Sequence, residues 1–139
     1  MAIQQTMCSS FKYQLFLAQH DLSTDVIKIA LYTSASSIGP DTTVYAATDE
    51  VTGTGYVAGG NTLTGVTVVL SGTTAYVDFA DSTWAASSFT ARGALLYNSS
   101  KSNKAVAVLD FGADKTSSGT PFVIQMPTNT ATTALLRIA

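Results

Sequence analysis

The stretch GVTVVL (65–70), SG (71–72), TTAYVDF (73–79), ADSTWAASSFT (80–90), ARGALLYN (91–98), SSKSN (99–103) and KAVAVLDF (104–111) decides the fold. It contains four runs rich in β-branched and aromatic residues, separated by polar, turn-forming residues. Apolar and polar residues alternate in the first two runs, and this period of two is typical of half-buried antiparallel strands. We therefore predict four strands, with ADSTWAASSFT as a bridge between the second and the third.

The alternation also predicts which residues of the first two strands face the core. These residues are Val66, Val68, Leu70, Ala75, Val77 and Phe79. Between the two strands, the dipeptide Ser71-Gly72 fits a two-residue hairpin turn, because glycine adopts a positive φ without steric penalty.

One helix is predicted before this stretch, over residues 9–22, with Ser9 or Ser10 as its N-cap. Four apolar residues recur at i, i+4, i+7 and i+11, a spacing that places them on one helical face. They are Phe11, Leu15, Ala18 and Leu22. Residues 1–8 precede the helix and are predicted to form an arm or an extra strand.

A strand is predicted in DVIKIALYTS (25–34), followed by a long loop over residues 35–62. Gly39-Pro40-Asp41 predicts a turn within this loop, and four further glycines predict tight backbone geometry. They are Gly53, Gly55, Gly59 and Gly60. Because long loops in compact domains are usually functional or interfacial, this loop is the first candidate for a contact surface.

The C-terminal part of the chain is predicted to contain a polar loop and two short strands. FGADKTSSGT (111–120) is the loop, and residues 121–127 form a strand whose bracketing prolines favour a sheet edge. ALLRIA (134–139) is the last strand and ends at Ala139. About eight strands, one N-terminal helix and no βαβ alternation indicate a mainly β chain, an antiparallel sandwich or barrel in a single domain over residues 1–139.

The composition is poor in charge. Charged residues make up 12% of the 139 residues, about half the usual share of roughly 25%. A neutral, hydroxyl-rich surface suits a protein packed against copies of itself or a partner, although threonine also favours strands by itself. The seven basic residues are scattered and the net charge is −2, so nucleic-acid binding is not expected. No signal peptide or membrane-spanning run is recognised, and we expect a soluble protein without a membrane partner.

Few residues are candidates for chemistry. Cys8 is the single cysteine, which excludes an intramolecular disulfide and a cysteine-based zinc site. His20 is the single histidine and is expected to interact with backbone carbonyls at the helix end rather than to act as a base on Cys8. Glu50, Asp41 and Asp49 lie in the long loop, where carboxylates are mostly turn formers and solvated caps. No catalytic, cofactor-binding or metal-ligating residue is predicted.

Two further side chains leave alternatives open. Trp84 is predicted to lie in the core or an interface, and stacking on a sugar is the alternative. Arg92 lies in an otherwise apolar strand, so it either faces solvent or forms an ion pair, with Asp78 or Asp110 on a neighbouring strand or across a subunit contact.

Four segments of the chain carry a resemblance to a known family. They are KIALYTS (28–34), TDEVTGTGYVAGG (48–60), LTGVTVVLSGTTAYVDFADSTWAASSFTARGALLYN (63–98) and KAVAVLDFG (104–112). Together they resemble a widespread family of small virion proteins of tailed bacteriophages. The resemblance extends from about Ser10 to Ala139, and 78–98 is its most specific part.

The resemblance implies a non-enzymatic capsid cement or decoration protein without a cofactor. Such a protein binds the major capsid protein on the outer surface of the virion as a homotrimer, after synthesis in the cytoplasm of the host bacterium. On this hypothesis the N-terminal segment and the 35–62 loop carry the contacts. Two alternatives stay open: a tail- or fibre-associated module that binds a glycan through Trp84 and exposed tyrosines, and a small hydrolase, against which the scarcity of His, Cys and Glu argues.

Overall fold

The computed structural model describes residues 2–138, so the predicted strand end at Ala139 lies outside the described residues. Within this range, eight strands, one α-helix and one 3-10 turn follow each other along the chain. They are β1 (Thr6–Met7), α1 (Ser9–Phe16), β2 (Ile27–Tyr32), β3 (Asn61–Thr62), β4 (Thr67–Ser71), β5 (Thr74–Asp78), β6 (Ser82–Asn98), the 3-10 turn (Ser99–Lys101), β7 (Lys104–Ile124) and β8 (Leu136–Ile138).

The strands form two antiparallel sheets. The five-stranded sheet has the order β1-β7-β6-β2-β3, and the three-stranded sheet has the order β4-β5-β8. The predicted fold class is therefore confirmed: the chain is mainly β, with two antiparallel sheets and one N-terminal helix. Of the two predicted architectures, the sandwich fits these two separate sheets better than the barrel, which needs one closed sheet.

The hairpin of β6 and β7 dominates the larger sheet and corrects two predictions. Residues 82–90 of the predicted bridge are part of a strand, because β6 runs over 17 residues from Ser82 to Asn98. Residues 111–120 are not a loop, because β7 runs over 21 residues and pairs with β6 as far as Ile124. Register shifts between Trp84 and Ser87 and between Ala91 and Gly93 break the period of two. Strands with bulges and many Ser, Thr and Gly residues lack the alternation on which the prediction depended.

The smaller sheet begins with the predicted hairpin, with its turn displaced by one residue. Ser71 pairs with Thr74, so the loop is Gly72-Thr73 rather than Ser71-Gly72. Gly72 has φ +60° and supplies the predicted positive φ. The predicted core face is only partly buried: Phe79 is buried, whereas Val68 and Leu70 expose 54% and 74% of their surface.

The helix is shorter than predicted and has a different N-cap. Cys8 occupies the N-cap position without a side-chain hydrogen bond, and α1 ends at Phe16 instead of residue 22. Ala18 has φ +57°, a left-handed conformation that an α-helix cannot contain. The predicted stripe is therefore divided, with Phe11 buried in the helix and Leu22 buried in the turn that follows it.

Residues 2–8 pack on the larger sheet, and the predicted extra strand is realised by β1. Thr6 and Met7 pair with Val108 and Ala107 of β7. Ile3 is buried over Gly93, where an added Cβ would lie 2.8 Å from the Ile3 Cδ1 atom. The lack of a side chain at Gly93 thus allows the N-terminal segment to approach the sheet.

Candidate functional site: a groove and two apolar faces

The long loop is held to the larger sheet by a buried carboxylate. Glu50 is only 8% exposed, which corrects its interpretation as a solvated loop residue. Its Oε1 accepts a hydrogen bond of 2.6 Å from the Tyr45 hydroxyl. Its Oε2 accepts one of 2.6 Å from the Tyr56 hydroxyl and one of 2.8 Å from the Gly59 N–H. Three donors compensate the burial of the charge, which is otherwise strongly unfavourable.

The same hydrogen-bond network connects the loop to β2 and β6. The Tyr56 hydroxyl accepts a bond of 2.9 Å from the Leu31 N–H, and the Tyr97 hydroxyl donates one of 2.6 Å to the Gly59 carbonyl. Burial, and then the Glu50 carboxylate, raises the pKa of Tyr56, so its hydroxyl remains a donor. The network therefore buries Glu50 and Gly59, whereas most of the residues in the 35–62 loop remain exposed, with Val44 and Val57 as the large apolar side chains among them.

His20 anchors the end of the helix through side chains rather than backbone carbonyls, contrary to the prediction. Its Nε2 lies 2.8 Å from Oε1 of Gln14, and its Nδ1 lies 3.0 Å from Nδ2 of Asn98. Asn98 also donates a bond of 2.7 Å to Asp25. This arrangement holds a neutral imidazole with its proton on Nε2, and burial lowers the pKa of His20 accordingly. The role of His20 is to fix α1 beside the end of β6.

Arg92 forms an ion pair within the chain, with a partner that the sequence did not predict. Its Nε lies 2.9 Å from Oδ1 of Asp114, whereas the sequence suggests Asp78 or Asp110 as the partner. The register shift between Ala91 and Gly93 explains the difference, because it changes which residues of β7 lie beside Arg92. The two side chains are 36% and 49% exposed, so the pair contributes little to stability.

Trp84 and Cys8 are buried, and neither presents reactive or binding groups to solvent. Trp84 is 4% exposed and its ring packs near Tyr56, Phe89 and Phe122, which confirms a core position. The glycan hypothesis thereby loses its stacking residue. Burial raises the pKa of the Cys8 thiol to about 11, so it is not a nucleophile near neutral pH. Among residues 2–138, no three His, Cys, Asp or Glu side chains are grouped as metal ligands.

The described residues form a groove of about 1310 Å³. It is lined by residues of β7, by residues 131–137 and by Gln5, Thr6 and Met7. β1 pairs with β7 only at Ala107 and Val108. Beyond Val108, the outer edge of β7 has no partner strand in the part of the chain that the structure describes.

The rim of the groove carries exposed positive charge. Lys115 and Arg137 line it, and no carboxylate within residues 2–138 lies within ion-pair distance of either. Asp110 also lines the groove, where its carboxylate accepts a hydrogen bond of 2.9 Å from the Gly112 N–H, so the lining carries two positive charges and one negative charge. A groove with these properties favours an extended chain that carries acidic side chains.

Two apolar faces are also open to solvent. On the three-stranded sheet, Val68, Leu70 and Ile138 are 54%, 74% and 54% exposed. On α1 and its C-cap, Tyr13, Phe16 and Leu17 are 68%, 93% and 49% exposed. We call these the sheet face and the helix face. The alternation in the sequence identified the sheet face as apolar but assigned it to the core. The helix face was recognisable only as apolar residues outside the predicted stripe.

Comparisons of the chain with protein-family models, with curated proteins and with solved structures find no match. No helix among residues 2–138 has the length and apolar character that crossing a membrane requires. The groove and the two apolar faces are accordingly the features from which we argue a function.

Proposed function

We propose that the chain is a non-enzymatic structural protein of a tailed-bacteriophage virion, a capsid cement or decoration protein that binds the outer shell as a homotrimer. The observation that carries this proposal is the groove beside the unpaired edge of β7. The resemblance of four segments to phage virion proteins suggests the virion as the assembly. The low charged fraction of 12% suits a protein whose surface is largely in contact with other subunits.

The groove suits a polypeptide better than a small ligand. Its volume of about 1310 Å³ exceeds the roughly 300–1,000 Å³ typical of small-molecule pockets. An exposed strand edge offers backbone N–H and C=O groups, with which an extended segment of another protein can pair. We infer that a segment of the major capsid protein lies along β7 in this groove and adds a strand to the larger sheet.

The charged rim defines the chemistry of that segment. Because Lys115 and Arg137 lack carboxylate partners among the described residues, a segment with acidic side chains would gain two ion pairs on binding. Charge attraction of this kind is screened by salt. Binding to the shell should therefore weaken as the salt concentration rises.

The test is binding of the purified chain to capsids that lack it. We expect the double variant Lys115→Gln/Arg137→Gln to bind up to about 30-fold more weakly, since each of the two ion pairs contributes up to about 1 kcal/mol. The matched control Lys101→Gln removes an exposed charge outside the groove lining and should bind like the wild type. Equal binding of the double variant would refute the groove as the contact.

Electron cryomicroscopy of the intact particle tests the location. We expect density for the chain on the outer surface of the capsid, with β7 against the shell. Density only at the tail, the portal vertex or the fibres would contradict a cement protein.

A further inference from the structure

We propose that the helix face of one copy packs on the sheet face of the next copy, in a head-to-tail contact that closes into a ring. The number of copies, three, rests on the proposed function. The contact itself rests on the two surfaces, and it names the residues through which the homotrimer forms.

The sheet face has the pattern of a buried surface. In the register of the sheet, Val68 pairs with Val77 and Val77 with Leu136, while Leu70 pairs with Ala75 and Ala75 with Ile138. All six side chains of these two rows are apolar and share one face, because side chains alternate along a strand. The intervening rows carry Thr67, Asp78, Tyr76, Arg137, Ser71 and Thr74 as well as Val69.

The burial of the sheet face is incomplete. Leu136 is 6% exposed, but the row at the other end leaves Leu70 at 74% and Ile138 at 54%. No residue of β4 is buried. A three-stranded sheet depends on a covered apolar face for its stability, so an additional layer is expected over Leu70 and Ile138.

The helix face also consists of apolar side chains that remain exposed. Tyr13, Phe16 and Leu17 have the i, i+3, i+4 spacing that places side chains on one side of a helix. Phe11 and Leu15, which pack on the core, lie on the opposite side. A helix that is apolar on both sides is normally covered on both sides. Phe16 is 93% exposed, the largest exposed fraction among the large hydrophobic side chains of the described residues.

One contact between copies covers both faces. Ten large hydrophobic side chains are exposed among the described residues, and six of them belong to these two faces. Pairing helix with helix would leave the sheet face open, and pairing sheet with sheet would leave Phe16 open. A helix packed on a sheet is a standard layer arrangement, and a heterologous contact generates a closed ring when its rotation permits.

The apolar area of each face is that of a functional surface patch. Three large side chains that are about half or more exposed present on the order of 300 Å² of apolar surface, the size at which a patch on a monomer is often functional. Each contact of the ring therefore buries on the order of 300 Å² of apolar surface per partner, and the polar rims add the rest of a contact that is smaller than the roughly 800 Å² per partner of a standard interface.

The first experiment measures the molar mass of the chain by size-exclusion chromatography with light scattering. We expect the wild type to elute with three times the 14.5 kDa mass of one chain. Phe16→Asp and Leu70→Asp should each give monomers, because a charge in an apolar contact remains unpaired. The control Val57→Asp alters a side chain that is 76% exposed but lies outside both faces, and it should remain a trimer. Circular dichroism of each variant verifies that it is folded.

The second experiment mixes the two monomeric variants. Phe16→Asp retains an intact sheet face and Leu70→Asp an intact helix face, so one head-to-tail contact can form between them. We expect a species of twice the chain mass in the mixture and in neither variant alone. A folded mixture that remains monomeric would overturn the helix-on-sheet contact, as would a monomeric wild type or a trimeric single variant.

The shell-binding assay separates this inference from the proposed function. A wild-type chain that is monomeric but binds capsids would refute the ring and leave the capsid assignment intact. A trimer that fails to bind capsids would refute the capsid assignment and leave the ring intact.

Discussion

The two sheets of this protein contain strands of similar local pattern and very different burial. In β2 of the larger sheet, five of six residues are buried. In β4 of the smaller sheet, none of five residues is buried. The larger sheet is covered by its own chain: the N-terminal segment contributes Ile3, α1 contributes Phe11 and the long loop contributes Val51 to one core. The smaller sheet has no comparable cover on its apolar face.

The difference shows that the alternation of apolar and polar residues identifies the apolar face of a strand. It does not identify the segment that covers this face. Around β2 the cover is built from loops that are positioned by hydrogen bonds to Glu50 and by glycines at close backbone approaches. Around β4 the described residues supply only partial cover: Val66 packs against the core, whereas Val68 and Leu70 remain exposed. The larger sheet should therefore determine whether the monomer folds, and the smaller sheet should determine how the folded monomers associate.

The largest expected effect comes from adding a methyl group where the loop crosses β2. Gly60 has φ +76°, and an added Cβ would lie 1.8 Å from the Ile29 carbonyl oxygen. Gly60→Ala should reduce the free energy of unfolding by more than about 4 kcal/mol, the range of severe steric substitutions. Gly72→Ala, in the hairpin turn of the smaller sheet, meets no atom within 4 Å and should cost only about 1 kcal/mol for its positive φ. Urea unfolding of both variants measures this, and equal losses would contradict the comparison.

A pair of leucine truncations compares the two sheets directly. Leu95 in β6 is 0% exposed and Leu70 in β4 is 74% exposed. We expect Leu95→Ala to lose about 2–5 kcal/mol of unfolding free energy, because it leaves a cavity. Leu70→Ala should change it by no more than about 0.5 kcal/mol when measured on the dissociated chain. A large loss for Leu70→Ala under those conditions would mean that the monomer already covers the sheet face.

A smaller effect is expected from neutralising the buried carboxylate of the loop. Glu50→Gln replaces a charged acceptor of three hydrogen bonds by a side chain with one acceptor oxygen. The loss should be about 2 kcal/mol, since hydrogen bonds to charged groups contribute about 1.5–3 kcal/mol each and some are retained. Asp41→Asn changes an exposed carboxylate of the same loop and serves as the control. Thermal unfolding that is unchanged in Glu50→Gln would show that the network does not hold the loop.

The smallest effect concerns the pH dependence of the smaller sheet. Asp78 at the end of β5 is 2% exposed, and its Oδ2 has no hydrogen-bond partner within residues 2–138. Burial, together with the nearby charge of Asp81, raises the pKa of Asp78 above 3.8. The folded state thus binds this proton more tightly than the unfolded state does, so the stabilisation is present below pH 3.8 and is lost as the pH rises through the folded pKa.

Replacing Asp78 by Asn tests this sign. Asp78→Asn should raise the free energy of unfolding at pH 7, and the gain should shrink as the pH falls toward 3.8. Asp49→Asn is the control, because Asp49 is exposed and asparagine tolerates its φ of +61°. Unfolding curves over a pH series provide the measurement, and a gain that grows toward low pH would contradict the assignment.

Local patterns predicted the structure correctly where large apolar residues alternate with polar ones. The hairpin of β4 and β5, strand β2 and the core position of Trp84 all followed from the sequence. The full length of β6 and β7 did not, because Ser, Thr, Ala and Gly give little contrast between faces and bulges shift the phase. The short helix was also missed at its end, since the left-handed Ala18 has no signature in residue type.

The candidate site was less predictable than the fold. The burial of Glu50, the side-chain partners of His20 and the identity of the carboxylate beside Arg92 were all missed. The donors to Glu50 are the hydroxyls of Tyr45 and Tyr56 and the N–H of Gly59. The path of the loop places these groups beside the carboxylate. The groove joins residues 5–7, β7 and 131–137, which are up to 132 positions apart and have no common motif. Such juxtapositions depend on the whole chain path.

The sequence by itself determined the mainly β class, the N-terminal helix, the low charge and the apolar character of the β4 and β5 faces. These are properties of composition and of local periodicity, which short segments already contain. Only the tertiary structure decided that the apolar face of the small sheet stays partly open, that the outer edge of β7 borders a groove and that Glu50 is buried. Burial and edge exposure depend on which distant segments pack together, and that is a property of the folded chain as a whole.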